Sequence, residues 1–117
     1  MSVQIFYNLR CSKCRITLQL LKDEQGIEPE VIEYLKTPPT LDVLTEVVRK
    51  LGIQAIELIR FNEKVAKELK INASDDKSDA QWLAIMVENP ILIERPIVIK
   101  GDQAVIGRPP SKVLELF

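Results

Sequence analysis

The sequence predicts an α/β fold: a strand, helix and strand, then a helical middle, then a hairpin with a closing helix. Three observations carry this expectation. Val3 to Tyr7 is a short apolar run of strand formers, and Cys14, Leu18 and Leu21 then recur at helical spacing before a second strand-like run at Val31 and Ile32. The middle of the chain keeps the helical period. Strand character returns at Ile97, Val98 and Ile99, where Gly101-Asp102 makes a tight turn into Gln103 to Ile106.

Taken in order, the first strand is expected over Val3 to Tyr7, with Asn8-Leu9-Arg10 as the loop after it. A helix follows from about Ser12 to Glu24, stopped by Gly26, which tolerates the left-handed conformation of a helix terminus. Glu30 to Tyr34 reads as the second strand, and Lys36-Thr37-Pro38-Pro39 breaks the pattern. Thr40 caps a helix with the stripe Leu41, Leu44, Val47, Val48 and Leu51, ended by Gly52. A helical turn is expected over Ile56 to Phe61 with Arg60 at its end, then a short helix over Glu63 to Leu69 and a polar stretch, Asn72 to Lys77. Ser78 with Gln81 is a capping box opening a helix that buries Trp82, Ile85 and Met86, and Asn89-Pro90 closes it. After the hairpin and Arg108-Pro109-Pro110, the residues Val113, Leu114, Leu116 and Phe117 fit a terminal helix. The order βαβ, insertion, ββα is that of a thioredoxin-like sandwich with a helical insertion between the second and third strands.

A chain of 117 residues is expected to form a single domain spanning 1–117. Its net charge of −1 supplies no field that would recruit nucleic acid or an anionic membrane. No apolar run approaches the roughly 18 residues of a membrane span, and the N-terminus lacks a signal-peptide pattern. Two cysteines are too few for a disulfide framework, so a reducing cytoplasm is expected. Histidine is absent, which removes histidine general-base chemistry and, with only one Cys-x-x-Cys, leaves no expected metal site. Nothing demands more than a monomer.

Cys11-Ser12-Lys13-Cys14 is the most informative string. It stands where the first strand gives way to the first helix, so Cys11 meets the positive end of the helix dipole. Arg10, Lys13 and Arg15 add cationic charge nearby, and each influence favours the reactive thiolate. Cys11 is the better nucleophile, because backbone N–H groups of the first turn point at its sulfur. Cys14, one turn in, is spaced to reach back and form a disulfide with Cys11. The plainer alternative is two buried cysteines packing as small hydrophobes. A second set of residues is Arg60, Arg95 and Arg108. In a thioredoxin-like fold they could converge on Cys11 from three stretches of chain, and the guanidinium fork suits an oxyanion. Taken singly, each is as readily a solvated surface residue.

These strings resemble the ArsC-type arsenate reductases. The resemblance is carried by Ile5 to Lys13 with Thr17-Leu18, Glu33-Tyr34-Leu35 before Pro38-Pro39, Leu58-Ile59-Arg60, Asn89 to Val98, and Gly107-Arg108-Pro109-Pro110. It implies a thioredoxin-like fold and reduction of arsenate to arsenite. In that scheme Cys11 is the nucleophile, and Arg60, Arg95 and Arg108 bind the oxyanion and its thiol adduct. Asn8 and Arg15 support the loop, and Pro96 is a cis-proline. Glutathione is implied as co-substrate with glutaredoxin as helper, and no cofactor is bound. Two positions depart from the pattern: Cys14 stands where glutathione-dependent members usually have serine, and Tyr7 where they commonly have histidine. Cys14 opens a route in which thioredoxin or glutaredoxin reduces a Cys11–Cys14 disulfide. Two further functions fit the same residues: a general thiol-disulfide oxidoreductase using Cys11 and Cys14, and an Spx-like redox regulator that binds RNA polymerase.

Overall fold

The computed structural model describes residues 2–117. Among them, β1 (Val3–Phe6), β2 (Glu30–Ile32), β3 (Ile97–Lys100) and β4 (Gln103–Ile106) form a four-stranded sheet in the order β2-β1-β3-β4. β2 lies parallel to β1, with Ile5 opposite Val31. β3 and β4 are antiparallel, registering Ile5 with Val98 and Val98 with Val105. A parallel pair needs a crossover, and α1 (Ser12–Gln25) supplies it. The architecture is the thioredoxin-like α/β sandwich that the element order predicts.

The chain divides into two compact units, one of Met1–Thr37 with Arg95–Phe117 and one of Pro38–Glu94. In the first, β1 turns Val3 and Ile5 onto a core shared with Val98, Leu21 and Val113. Ile5, Leu21 and Val98 are wholly enclosed, and burial of each such side chain contributes about 1.5–3 kcal/mol. α1 ends where Gly26, at φ 62°, directs its N–H to the Leu21 and Lys22 carbonyls.

Three features of the first unit differ from the sequence expectation. β2 stops at Ile32, because the chain turns at Glu33, whose carbonyl accepts from Lys36 and Thr37. That turn carries Tyr34 into the interior, where it is 0% exposed and stacks on Phe6 with ring centroids 6.1 Å apart. The closing helix is a 3-10 helix over Pro110–Leu116. With three residues per turn, its buried residues Val113 and Leu116 lie one above the other. Lys100 holds its end, donating from Nζ to the Leu116 carbonyl at 3.0 Å. The peptide bonds Arg95-Pro96 and Arg108-Pro109 are both cis.

The second unit opens with α2 (Leu41–Leu51), where Thr40 Oγ1 accepts from the Val43 N–H as a cap. Its buried stripe is narrower than predicted: Leu44, Val47 and Val48 are enclosed, while Leu41 at the first turn is exposed. A 3-10 turn, Ala55–Leu58, is followed by a bridge of Ile59 to Ile93, so Arg60 lies beyond the turn rather than at its end. α3 (Lys64–Glu68) comes next. α4 (Asp79–Glu88) has the predicted capping box and buries Trp82, Leu83 and Met86, with Ile85 only half-buried. No helix among the described residues is long and apolar enough to cross a membrane.

Among the glycines, Gly107 is the one with no room for a side chain. A Cβ there would lie 2.8 Å from Pro96 Cγ, 3.0 Å from Thr17 Oγ1 and 3.2 Å from Val113 Cγ1. Thr17 and Val113 are fully buried and cannot retreat into solvent. Gly107→Ala is therefore expected to cost about 1–3 kcal/mol as overpacking, read as a lower denaturation midpoint. A midpoint equal to the wild type would show that the Pro96 ring moves aside freely.

Candidate functional site

The loop after β1 is set by Asn8. Its side-chain Oδ1 accepts from the Arg10 N–H at 3.0 Å, and its carbonyl accepts from the Cys11 N–H at 3.0 Å. This double hold leaves Cys11 as the N-cap of α1 in extended conformation (φ −92°, ψ 114°). The cap residue is thus a thiol in place of the usual hydroxyl or carboxamide, set beside the N–H groups that a helix start leaves unsatisfied.

Cys11 and Cys14 are both free thiols, 7% and 0% exposed. Their environments push them in opposite directions. Burial drives the Cys11 thiol upward. It is outweighed by the Cys14 and Lys13 backbone N–H groups, the Cys14 side chain and the charge of Arg95, which together hold it below the ordinary thiol range. Cys14 is pushed up to about 12, first by deeper burial and then by hydrogen bonding and repulsion from Cys11; the Asn8 backbone and Arg95 offset this only in part. Of the two, Cys11 gives up its proton more readily and Cys14 keeps its own.

Arg108 links the parts. Its backbone follows β4, its Nε donates to the Arg95 carbonyl at 2.7 Å, and its Nη2 makes a long contact of 3.9 Å with Cys11 Sγ. Its backbone is fixed in turn by the N–H of Gly107 on the Pro96 carbonyl at 2.9 Å. One edge of the guanidinium is thereby anchored, and the other faces sulfur.

Of the residues singled out from sequence, Asn8, Cys11, Cys14, Arg95, Pro96 and Arg108 come together in the first unit. Arg60 belongs to the second unit, where Nη1 lies 3.3 Å from Glu63 and Nε 3.5 Å from Glu94. The local cations behave differently from the expectation. Arg10, Lys13 and Arg15 are exposed, and Arg15 Nη1 donates to the Leu9 carbonyl at 2.7 Å. None of the three side-chain charges is among the influences that shift Cys11, because side chains reaching into water are screened whereas Arg95 acts through protein. Arg15 thus supports the loop by closing it on Leu9, and contributes no charge to the sulfur.

Sequence reasoning missed Tyr34 as a neighbour of this site. The charges of Arg95, Cys14 and Cys11 all act on its hydroxyl. The signal lay in topology: β1 and β2 are parallel, so residues just past both carboxyl ends share one edge of the sheet. No group of three or more His, Cys, Asp or Glu among the described residues is arranged to hold a metal ion.

Residues 6–116 match the model of the ArsC family. The chain belongs to the ArsC family. An arsenate reductase of Haemophilus influenzae is 42% identical over 118 residues, covering 100% of both chains. The Escherichia coli K12 protein YfgD is 48% identical, covering 97% of this chain and 95% of its own. Among solved structures, an arsenate reductase from Vibrio cholerae superposes with a TM-score of 0.93 at 45% identity, covering 100% of this chain and 98% of that one. The ArsC chain thus carries its nucleophile candidate in the loop between β1 and α1, as the fold places it.

Alkylation of Cys11 should rise with pH through a midpoint below that of an ordinary thiol, since the protonated form is inert and the thiolate reacts. Arg95→Ala is expected to move that midpoint upward, while Arg10→Ala and Arg15→Ala leave it in place. Peptide-resolved iodoacetamide rates measure all three. An unmoved midpoint in Arg95→Ala would remove that arginine from the sulfur's environment.

Proposed function

We propose that this chain is an arsenate reductase that works through a Cys11 thiol adduct, with glutathione and glutaredoxin as reductant. The observation that carries the reading is a thiol held below its ordinary pKa with an anchored guanidinium 3.9 Å from the sulfur. A general disulfide reductase needs no arginine aimed at the nucleophile. A tetrahedral oxyanion does, since paired N–H donors match its oxygens. The family and the named relatives support the choice of arsenate among oxyanions.

In this reading Arg95 and Arg108 hold the anion. Cys11 sulfur bonds to arsenic(V), and an oxygen departs, leaving as water once protonated. A glutathione thiol then replaces a second oxygen, which also leaves as water. Two electrons pass to arsenic as the two sulfurs join into a Cys11–glutathione disulfide, and the released arsenic(III) takes up one water to become arsenite. Glutaredoxin, supplied with a further glutathione thiol, reduces that disulfide and returns Cys11 to the thiolate.

Cys14 offers a competing resolving thiol, and its nearness to Cys11 favours a disulfide between them. Two facts weigh more heavily. Burial, the largest of the causes that push its thiol up, persists in the adduct and favours the protonated form, and attack requires thiolate. It is also sealed from solvent. External glutathione is therefore the better resolving group.

A reductase assay on the purified protein with arsenate tests this, using glutathione plus glutaredoxin in one arm and thioredoxin in the other. Cys11→Ser should abolish arsenite formation, and Cys14→Ser should retain it with glutathione. Arg95→Ala and Arg108→Ala should each raise KM for arsenate tenfold or more, since a charge-assisted hydrogen bond contributes about 1.5–3 kcal/mol. No arsenite in either arm would refute the activity. Cys14→Ser as inactive as Cys11→Ser would refute the glutathione route alone.

A further inference from the structure

Tyr34 presents a buried group that the mechanism above does not use. Its ring is packed on Phe6, and its hydroxyl is sealed from solvent without a hydrogen-bond partner. The Asn8 side chain is near enough to interact with it but falls short of hydrogen-bond geometry. Leaving a buried O–H unsatisfied is costly, and native proteins rarely do so without reason. The other groups acting on this hydroxyl are Arg95, Cys14 and Cys11. A guanidinium has no lone pair to accept the phenolic proton. What is missing is an acceptor, and negative charge at Cys11 is what the surrounding guanidinium groups are arranged to receive.

We propose that the Tyr34 hydroxyl is a neutral donor of the oxyanion site, giving its hydrogen bond to an oxygen of the tetrahedral anion that Arg95 and Arg108 hold against Cys11. This deepens the oxyanion reading given above and rests on it. The surroundings keep the phenol protonated: burial first, together with repulsion from the two cysteines, raises it beyond its ordinary range in spite of Arg95. It therefore donates at every pH where the reaction runs. Cys11 is itself only 7% exposed, and its charge and that of Arg95 both reach the hydroxyl, so an anion held between them lies within the same field. A donor without charge adds directionality where two cations alone would bind any small anion loosely.

Tyr34→Phe removes the oxygen and keeps the ring on Phe6. Two readouts then separate binding from structure. Thermal unfolding should show a Tm equal to or above the wild type, because an unsatisfied buried group has been deleted. Protection of Cys11 from iodoacetamide by arsenate, and separately by sulfate, should require about tenfold more anion than in the wild type. Protection constants equal to the wild type overturn the proposal, whatever happens to Tm. So does a loss of protection matched by a fall in Tm, which marks a purely structural role. If the wild type forms no arsenite, yet Tyr34→Phe weakens protection by sulfate, the assigned reaction fails and the anion contact stands. Normal arsenate turnover with unweakened protection in Tyr34→Phe leaves the reaction standing and removes Tyr34 from it.

Discussion

A negative charge on a nearly buried sulfur is the constraint around which the first unit is organised. Desolvation alone would keep Cys11 protonated and chemically inert. The fold overcomes that penalty with donors already in place: helix N–H groups that need an acceptor, a neighbouring thiol, and a guanidinium from the segment before β3. Each was committed to its position by folding. None has to be reorganised when the thiolate forms or when an anion arrives, and such preorganisation is where electrostatic catalysis gains most.

The same economy explains the unequal cysteines. They differ by one helical turn and share one apolar cluster, yet Cys11 caps the open end of α1 while Cys14 is wholly enclosed. Depth decides which of them holds the proton. With Cys14 protonated, its S–H is available to the Cys11 thiolate. The pair that looks like a redox motif in sequence thus supplies a donor in structure.

Position of the arginines is a packing problem solved away from the sulfur. Gly107 fits against Pro96, Thr17 and Val113 with no space for a methyl group, which locks the end of β4 to the start of β3 and to α1. Arg108 then donates from Nε to the Arg95 carbonyl while its Nη2 lies against the Cys11 sulfur. In the second unit, Glu63 and Glu94 flank the guanidinium of Arg60. A guanidinium held by two carboxylates is oriented but not neutralised, since both partners are partly solvated.

Local chemistry was legible from the chain alone. The strand and helix periods, the Thr40 and Ser78 caps, the Gly26 and Gly52 stops and the Gly101-Asp102 turn each depend on residues within a few positions of one another. So does the placement of Cys11 at a helix start. Contacts between distant segments were not legible. Sequence proximity made Arg10, Lys13 and Arg15 look like the activating charges, but they extend into water, and Arg95, more than eighty positions away, acts on the sulfur in their place. Tyr34 read as the end of a strand until the turn at Glu33 carried it under the loop. Short-range hydrogen bonding and periodicity are written in the order of residues, whereas the field at an atom is summed over whatever the folded chain brings near it, and only the three-dimensional arrangement decides that.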